Sequence, residues 1–210
     1  ELSVVVLNSP DKRSIDYKGE ILSLQNSLGS KFNIYEWTID LNTNDNYLND
    51  LTKCEIAISA LFGQIIPKKV IKIFNEKIFN LHPSLLPQGK GSDPVPWGII
   101  QGYSQGASIH TVTEKLDSGL ILSQQMIESD LGMNAGEIYQ KCIDSLVYQF
   151  DSIIDKVISN DLSLKLQDDL HTVPKKSYEL KELQIIDASE TSNLENFIRR
   201  IQALTYSDGR

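Results

Sequence analysis

The sequence has few cysteines, no long apolar run and no excess of positive charge. Its two cysteines, Cys54 and Cys142, lie in apolar surroundings without metal-binding spacing, which is typical of reduced core thiols in a cytosolic protein. No apolar run reaches the roughly 18 residues of a membrane span, and no secretion signal opens the chain. The formal net charge of −8 disfavours a nucleic-acid surface, because basic side chains supply most of that affinity. These absences predict a cytoplasmic protein without membrane or nucleic-acid partners.

The remaining composition is that of one medium-sized globular domain, with or without a small appendage. Of the 210 residues, 40% are hydrophobic and 23% are charged, whereas a disordered chain would carry fewer aliphatic side chains. The first residue is Glu1 rather than Met, which fits an excised domain and a trimmed start equally well.

Strand-forming runs alternate with helical patterns along the first part of the chain. The runs occupy residues 2–7, 32–39, 54–61 and 78–82, and helices are predicted between them. This alternation predicts an α/β fold built on a doubly wound, mostly parallel sheet. Functional loops in such sheets follow the carboxyl ends of the strands, where Asn80 and His82 lie.

The rest of the chain predicts two strands, a long helix and a C-terminal extension. The strands cover residues 106–116 and 119–129, and a helical stripe that includes Val147 runs to Ser159. A polar connecting arm over residues 167–181 and an amphipathic helix over residues 193–204 follow. We therefore expect a main domain over residues 1–160 and a short arm plus helix over residues 161–210.

The segment NLHPSLLPQGKGSDPVPW, residues 80–97, combines an amide, an imidazole and a proline-rich loop. Asn80 and His82 alternate along a predicted strand, so their side chains point to the same face. An Asn amide donates hydrogen bonds without titrating, which suits an oxyanion, whereas a His moves a proton near neutrality. Acyl transfer to an amine needs both functions.

Asp117 lies in an LDSG turn between two predicted strands, where Gly119 allows tight geometry. A carboxylate beside an imidazole orients the ring and stabilises its charged form. Spacing alone nevertheless favours structural roles for Asn80, His82 and Asp117, since most histidines are structural and Asp is a common turn former.

Longer strings carry a resemblance to a known family. NLHPSLLP with its Gly-bearing loop, and LDSGLIL with its apolar strand, are similar to the two hallmark motifs of the folate-dependent formyltransferases. FGQIIPKKVI, residues 62–71, resembles the segment that helps to wall the folate pocket in that family. The resemblance is strong over residues 55–126 and weaker to residue 204, and it implies the Rossmann-like formyltransferase fold.

The resemblance implies that Asn80, His82 and Asp117 are catalytic. The implied formyl donor is 10-formyltetrahydrofolate, and no metal is implied. A substrate amine attacks the formyl carbon, Asn80 and protonated His82 stabilise the oxyanion, and Asp117 keeps His82 charged and in place. The folate-binding residues that the resemblance implies are Phe62, Gly63, Gln64, Ile65, Ile66 and Lys115.

Three acceptors compete for the amine. Glycinamide ribonucleotide enzymes carry a Gly-rich phosphate turn after the first strand, but this chain reads LNSPDKRS there. Methionyl-tRNA enzymes carry a further basic C-terminal domain, whereas this acidic chain ends at Arg210. The sugar N-formyltransferases are more similar, because LPQGKGSDPVPW keeps the frame of their loop and RRIQALTY resembles their C-terminal helix.

The acceptor implied by this branch is a nucleotide-linked amino-dideoxy sugar for a bacterial surface glycan. Lys90, at an Arg position of the loop, and Trp97 are then substrate-binding residues, although a core role is commoner for such a Trp and is favoured. A homodimer is a further expectation of the resemblance. A formylation domain of a peptide synthetase and a non-catalytic folate-binding module remain alternatives.

Overall fold

The structure is a computed structural model that describes residues 4–7, 17–28, 33–38, 42–130, 132–168, 172–185 and 193–206. The chain divides into two compact units, Glu1–Ile78 and Phe79–Arg210. The predicted domain division after residue 160 lies inside the second unit and stays a prediction. Within the described residues, no helix is long and apolar enough to cross a membrane.

The first unit alternates strands with helices, as its sequence pattern predicts. Its elements are β1 (Val4–Leu7), α1 (Tyr17–Leu28), β2 (Asn33–Glu36), α2 (Asp45–Leu51), β3 (Ala57–Ala60) and α3 (Lys68–Phe74). β1 pairs in parallel with β2, which is the pairing expected of a doubly wound sheet. Asn44 caps α2 by accepting a hydrogen bond from the backbone N–H of Tyr47, and α3 begins directly after Pro67.

The second unit carries an antiparallel arrangement of three strands with helices around it. Its elements are β4 (Ile78–His82, whose first residue ends the first unit), α4 (Pro94–Gln101), β5 (Gly106–Thr111), β6 (Ile121–Met126), α5 (Ala135–Ser159), α6 (Ser177–Glu182) and α7 (Leu194–Ala203). β5 lies between β4 and β6 and is antiparallel to both. The register places Asn80 opposite His110 and His82 opposite Ser108.

Two helices of the second unit lie where the sequence predicted irregular chain. Helix α4 occupies the end of the proline loop, because a proline fixes φ and needs no N–H partner in the first helical turn, the place that Pro94 takes. Helix α6 lies within the predicted polar arm and buries Leu180. Its six residues are too few for a helical periodicity to stand out from the surrounding polar sequence.

Helix α5 packs on β5 and β6 and supplies much of the core of this unit. The helix buries Ile138, Cys142 and Leu146 in a stripe, as predicted, and it ends at Ser159 with Asn160 in a left-handed conformation. Val147 does not belong to the stripe and is exposed. Gln149, two residues further along the helix, is buried instead. Its polar amide can be buried because it accepts a hydrogen bond from the Ser123 hydroxyl and donates one to the Ala107 carbonyl.

Candidate active site

Strand β4 brings Asn80 and His82 against a third polar side chain, His110 of β5. Asn80 Nδ2 lies 3.2 Å from His110 Nε2, and the rings of His82 and His110 meet edge to face with their centroids 6.0 Å apart. His110 is 1% exposed and His82 is 6% exposed. One buried imidazole therefore contacts both of the side chains that the sequence predicted to act together.

His110 is the residue of this cluster that the sequence reasoning did not identify. Its signal was present in GASIHT, because a titratable side chain in the middle of an apolar strand needs a buried partner. His110 Nδ1 lies 2.8 Å from the carbonyl oxygen of Thr111, which only accepts, so Nδ1 carries a proton. In the neutral ring, Nε2 is then the acceptor for the Asn80 amide.

Asp117 joins the same cluster from the turn between β5 and β6. Its Oδ1 lies 3.5 Å from His110 Nε2, and its Oδ2 accepts a hydrogen bond of 2.8 Å from the backbone N–H of Gly91. Asp117 is itself buried and has a φ of +46°, a left-handed conformation that few non-glycine residues adopt. The structure thus gathers all three predicted catalytic side chains around His110.

The electrostatic surroundings keep the Asp117 carboxylate charged. Burial alone would raise its pKa, but the contact with His110, the charge interaction with His82 and the Gly91 N–H act in the opposite direction. These interactions lower the pKa of Asp117 to about 2. A fixed negative charge consequently faces the two imidazoles at neutral pH.

Burial is the main influence on His82. It lowers the pKa of His82, and it outweighs the charge of Asp117 and the hydrogen bond to Gly89, which both raise that pKa. His82 Nε2 lies 2.7 Å from the Gly89 carbonyl oxygen, so Nε2 carries a proton and Nδ1 holds the lone pair of the neutral ring. The charge of Asp117 raises the pKa of His82, as the sequence predicted. Burial outweighs this effect, so the His82 ring favours the neutral form, whereas the sequence predicted a charged ring.

Close packing explains why glycine follows Asp117 and Ser118. A Cβ on Gly119 would overlap the backbone carbonyl of Thr111, and the backbone N–H of Thr111 donates to Leu120 O at 2.9 Å. The tightness predicted for this turn therefore comes from a close approach at Gly119. The left-handed conformation is taken by Asp117.

The two residues that the sequence predicted to bind the acceptor are both buried. Lys90 is 2% exposed, and its Nζ donates to the Ser118 hydroxyl at 2.9 Å, beside Asp117. Trp97 is buried in α4 with the Lys175 ammonium 4.5 Å from its ring centroid. These placements favour structural roles for Lys90 and Trp97, and their predicted contacts with an acceptor stay predictions.

The residues that the sequence predicted to bind folate lie in two segments. Lys115 is exposed in the turn that ends at Asp117, and its carbonyl accepts from Thr113 Oγ1 at 2.9 Å. Residues 62–66 belong to the first unit and connect β3 to α3. In that segment the Phe62 ring packs edge to face on Trp37, whereas Ile65 is 78% exposed. Their contacts with folate stay predictions.

Two further observations bear on the location of the site. A hollow in the second unit is lined by residues 125–128 with Lys141, Ser145 and Tyr148, and it includes none of the three predicted catalytic residues. Within the described part of the chain, no group of three or more His, Cys, Asp and Glu side chains is arranged to hold a metal ion. The candidate active site is the cluster formed by Asn80, His82, His110 and Asp117.

The fold is of the α/β class, and sequence comparison identifies the family. The formyl transferase family (Formyl_trans_N) matches residues 32–147, more than half of the chain, so the chain belongs to that family. The match includes Asn80, His82, His110 and Asp117.

Curated relatives are longer than this chain. Bifunctional polymyxin resistance protein ArnA of Wigglesworthia glossinidia brevipalpis is 31% identical over 162 residues, covering 76% of this chain and 24% of that protein. Methionyl-tRNA formyltransferase of Prochlorococcus marinus (strain MIT 9515) is 28% identical over 215 residues, covering 96% of this chain and 64% of that protein. The chain therefore spans less than two thirds of each.

Solved structures confirm the predicted fold class. A sugar N-formyltransferase from Shewanella sp. FDAARGOS_354 superposes with a TM-score of 0.77 at 18% identity, covering 99% of this chain and 90% of that one. The N-formyltransferase of Helicobacter canadensis, solved with folinic acid and dTDP-3-aminofucose, gives 0.69 at 18% identity, covering 99% and 82%. At these identities the likeness establishes the shared α/β fold alone.

Proposed function

We propose that this chain is a folate-dependent N-formyltransferase that moves a formyl group from 10-formyltetrahydrofolate to the amine of a nucleotide-linked amino-dideoxy sugar. The observation that carries the proposal is the buried cluster in which His110 contacts Asn80, His82 and Asp117. An amide donor, an imidazole with a free lone pair and a fixed carboxylate are the groups that formyl transfer to an amine requires.

His82 acts as the general base. Its Nε2–H is engaged with the Gly89 carbonyl, so the Nδ1 lone pair of the neutral ring is the atom that takes a proton from the attacking amine. The lowered pKa of His82 keeps this lone pair available at neutral pH. When His82 takes the proton, the charge of Asp117 stabilises the imidazolium, as a carboxylate does in other base–carboxylate pairs. His82 then returns the proton to the leaving nitrogen.

Asn80 stabilises the negative charge that develops on the formyl oxygen. Its amide has two N–H bonds, of which one is directed to His110 Nε2, and the second is available for the oxyanion. The contact with His110 fixes the orientation of the amide before the reaction begins. Such a preorganised donor is worth about 3 kcal/mol of transition-state stabilisation in comparable sites.

When bound, the formyl donor 10-formyltetrahydrofolate supplies a formyl carbonyl that is bonded to nitrogen. The cluster fits this group chemically, because it offers one amide donor for the oxygen and one base for the proton. We assign its binding to Phe62, Gly63, Gln64, Ile65, Ile66 and Lys115, of which the exposed Ile65 offers apolar surface to a flat ring system. The acceptor contacts of Lys90 and Trp97 and a homodimer remain parts of the same proposal.

The choice of a sugar acceptor rests on charge and on the structural comparisons. The net charge of −8 disfavours tRNA, whose phosphates require basic surface, and the Helicobacter canadensis relative was solved with a nucleotide-linked amino sugar. The methionyl-tRNA relative that covers 96% of this chain favours methionyl-tRNA as the second candidate acceptor.

A transfer assay separates these acceptors. The protein is incubated with 10-formyltetrahydrofolate and either dTDP- or UDP-linked amino sugars, glycinamide ribonucleotide or methionyl-tRNA, and mass spectrometry detects the formamide. We expect product with a nucleotide-linked amino sugar and none with the other amines. Product with methionyl-tRNA alone would support the second candidate, and product with glycinamide ribonucleotide alone would likewise overturn the sugar proposal. Folate binding without product on any amine would indicate a non-catalytic folate-binding module.

A further inference from the structure

The chain after α5 returns to the turn that carries Asp117. Gln167 Nε2 donates to the backbone carbonyl of Asp117 at 2.9 Å and to that of Gly119 at 2.8 Å. Two residues earlier, Lys165 and Ile121 exchange both backbone hydrogen bonds of an antiparallel bridge. A single side chain that lies about 50 residues further along the chain thus spans both ends of the Asp117–Gly119 turn.

The contacts of Gln167 use the donor half of its amide. The Nε2 group has two N–H bonds, and the two carbonyls of the turn accept both. The Oε1 atom is buried and meets no hydrogen-bond donor among the described residues. The two donated bonds are therefore the hydrogen bonds that this side chain makes among the described residues.

Asp117 needs such support because of its backbone conformation. A φ of +46° is uncommon for a residue with a Cβ, and it persists where surrounding contacts hold it. Gln167 holds the carbonyl of this residue, and the backbone N–H of Gly91 holds its carboxylate. The direction in which the carboxylate faces His110 depends on both ends being fixed.

The same arm also secures the Gly91 side of the contact. Lys175 N–H donates to Lys90 O at 3.0 Å, and Ser92 N–H donates to Lys175 O at 2.9 Å. These bonds flank Gly91 and hold the peptide whose N–H reaches the Asp117 carboxylate. Asp117 is therefore supported at two places. Gln167 holds its backbone carbonyl, and the backbone of Lys175 holds the Gly91 peptide that donates to its carboxylate.

We propose that Gln167 is a positioning residue for the formyl-transfer site, which fixes the Asp117 turn so that the carboxylate faces His110 and His82. This inference rests on the proposed function, in which Asp117 stabilises charge on His82. Gln167 touches neither substrate nor reacting atoms, and it acts through the backbone of Asp117.

Gln167→Met tests the proposal, because Met has a similar length and lacks N–H donors. We expect kcat to fall by roughly ten- to a hundredfold with the KM values unchanged, the scale associated with a misplaced catalytic group. Gln167→Glu, which presents oxygens to the two carbonyls, should lose at least as much. Combined with Asp117→Asn, Gln167→Met should add little, since both changes act on one carboxylate. A full multiplicative loss in the double variant would overturn the proposal.

Lys165→Met is the matched control, because the bonds of Lys165 to Ile121 run between backbone atoms. It should keep wild-type kcat. Hydrogen exchange supplies a readout that needs no activity: Gln167→Met should speed exchange at the Leu120 amide, which the turn holds on Thr111 Oγ1, and should leave β4 protected. A wild-type protein that is inactive on every amine would refute the proposed function. Hydrogen exchange at the Leu120 amide would still decide whether Gln167 holds the turn. An active wild type with a Gln167→Met variant of equal kcat refutes the present inference.

Discussion

His110 Nε2 lies 3.5 Å from Asp117 Oδ1, and this nitrogen is also the atom that the Asn80 amide approaches at 3.2 Å. One nitrogen cannot serve both partners in the same protonation state. The neutral ring accepts from Asn80, whereas the protonated ring donates to Asp117. His110 therefore couples the orientation of the oxyanion donor to the carboxylate that stabilises the base.

Replacing His110 by Phe should impair catalysis more than substrate binding. Phe keeps most of the ring volume in this buried strand but leaves the Asn80 N–H and the Asp117 carboxylate without their shared partner. Without this partner the Asn80 amide and the Asp117 carboxylate lose their orientation, and misplaced catalytic groups lower kcat by roughly ten- to a hundredfold. Steady-state kinetics with a nucleotide-linked amino sugar would measure this change.

His110→Gln is the informative control for that substitution. A Gln amide supplies both a donor and an acceptor, so this variant should recover part of the activity that His110→Phe loses. Equal and large losses in both variants would mean that the imidazole itself is needed. Wild-type activity in His110→Phe would remove His110 from the site.

Replacing Asn80 by Ala should lower kcat by roughly a hundred- to a thousandfold, because the oxyanion loses its preorganised donor. The KM values should change little, since the lost interaction belongs to the transition state. Thermal unfolding provides the control, because Asn80 is only half-buried and the fold should tolerate its truncation. A variant that loses binding while kcat is retained would place Asn80 outside the chemistry.

His82→Asn should abolish measurable formyl transfer while the fold remains intact. General-base catalysis by a positioned side chain contributes roughly a hundred- to ten-thousandfold, and the shorter Asn amide has no titrating lone pair to replace Nδ1. Circular dichroism and folate binding would report the intact fold. Rates close to the wild type would exclude His82 as the base.

Short sequence patterns encode the local geometry of the site, whereas its other features depend on tertiary contacts. The alternation of Asn80 and His82 on one strand predicted their shared face, because the period of a strand is two residues. The LDSG string predicted a turn between strands, and its glycine is required by the close approach of the Thr111 carbonyl. These properties follow from local geometry and could be derived before any coordinates.

Other features depend on partners that are remote in sequence. His110 reads as one polar residue in an apolar strand until the antiparallel register places it opposite Asn80. The arm before α6 was predicted as a polar connection, yet Gln167 lies on the Asp117 turn. The resting charge of His82 was predicted from its carboxylate partner alone, whereas the pKa follows mainly from burial. Periodicity carries no information about any of these three relationships.

Gly119→Ala should destabilise the second unit and lower activity together. The added methyl group would overlap the Thr111 carbonyl, which belongs to the sheet and cannot move without breaking the bond from Thr111 N–H to Leu120 O. Overpacking of this kind costs about 1–3 kcal/mol. Urea unfolding would measure the loss, and Gly132→Ala, where the nearest atom is the end of the Asp130 side chain, should stay within about 0.5 kcal/mol.

Stability should decline on acidification in two separate pH windows. The pKa of His82 lies below its ordinary value of 6.5 in the folded protein, so the unfolded chain binds the proton first and stability falls as the pH drops below about 6.5. Asp117 has a pKa of about 2 against an ordinary 3.8, so its contribution of about 2 kcal/mol is present above that ordinary value and is lost as the pH falls through about 2. Urea unfolding at a series of pH values would resolve both windows. His82→Asn should abolish the decline that begins below about pH 6.5, and an unchanged decline in that variant would assign the upper window to another group.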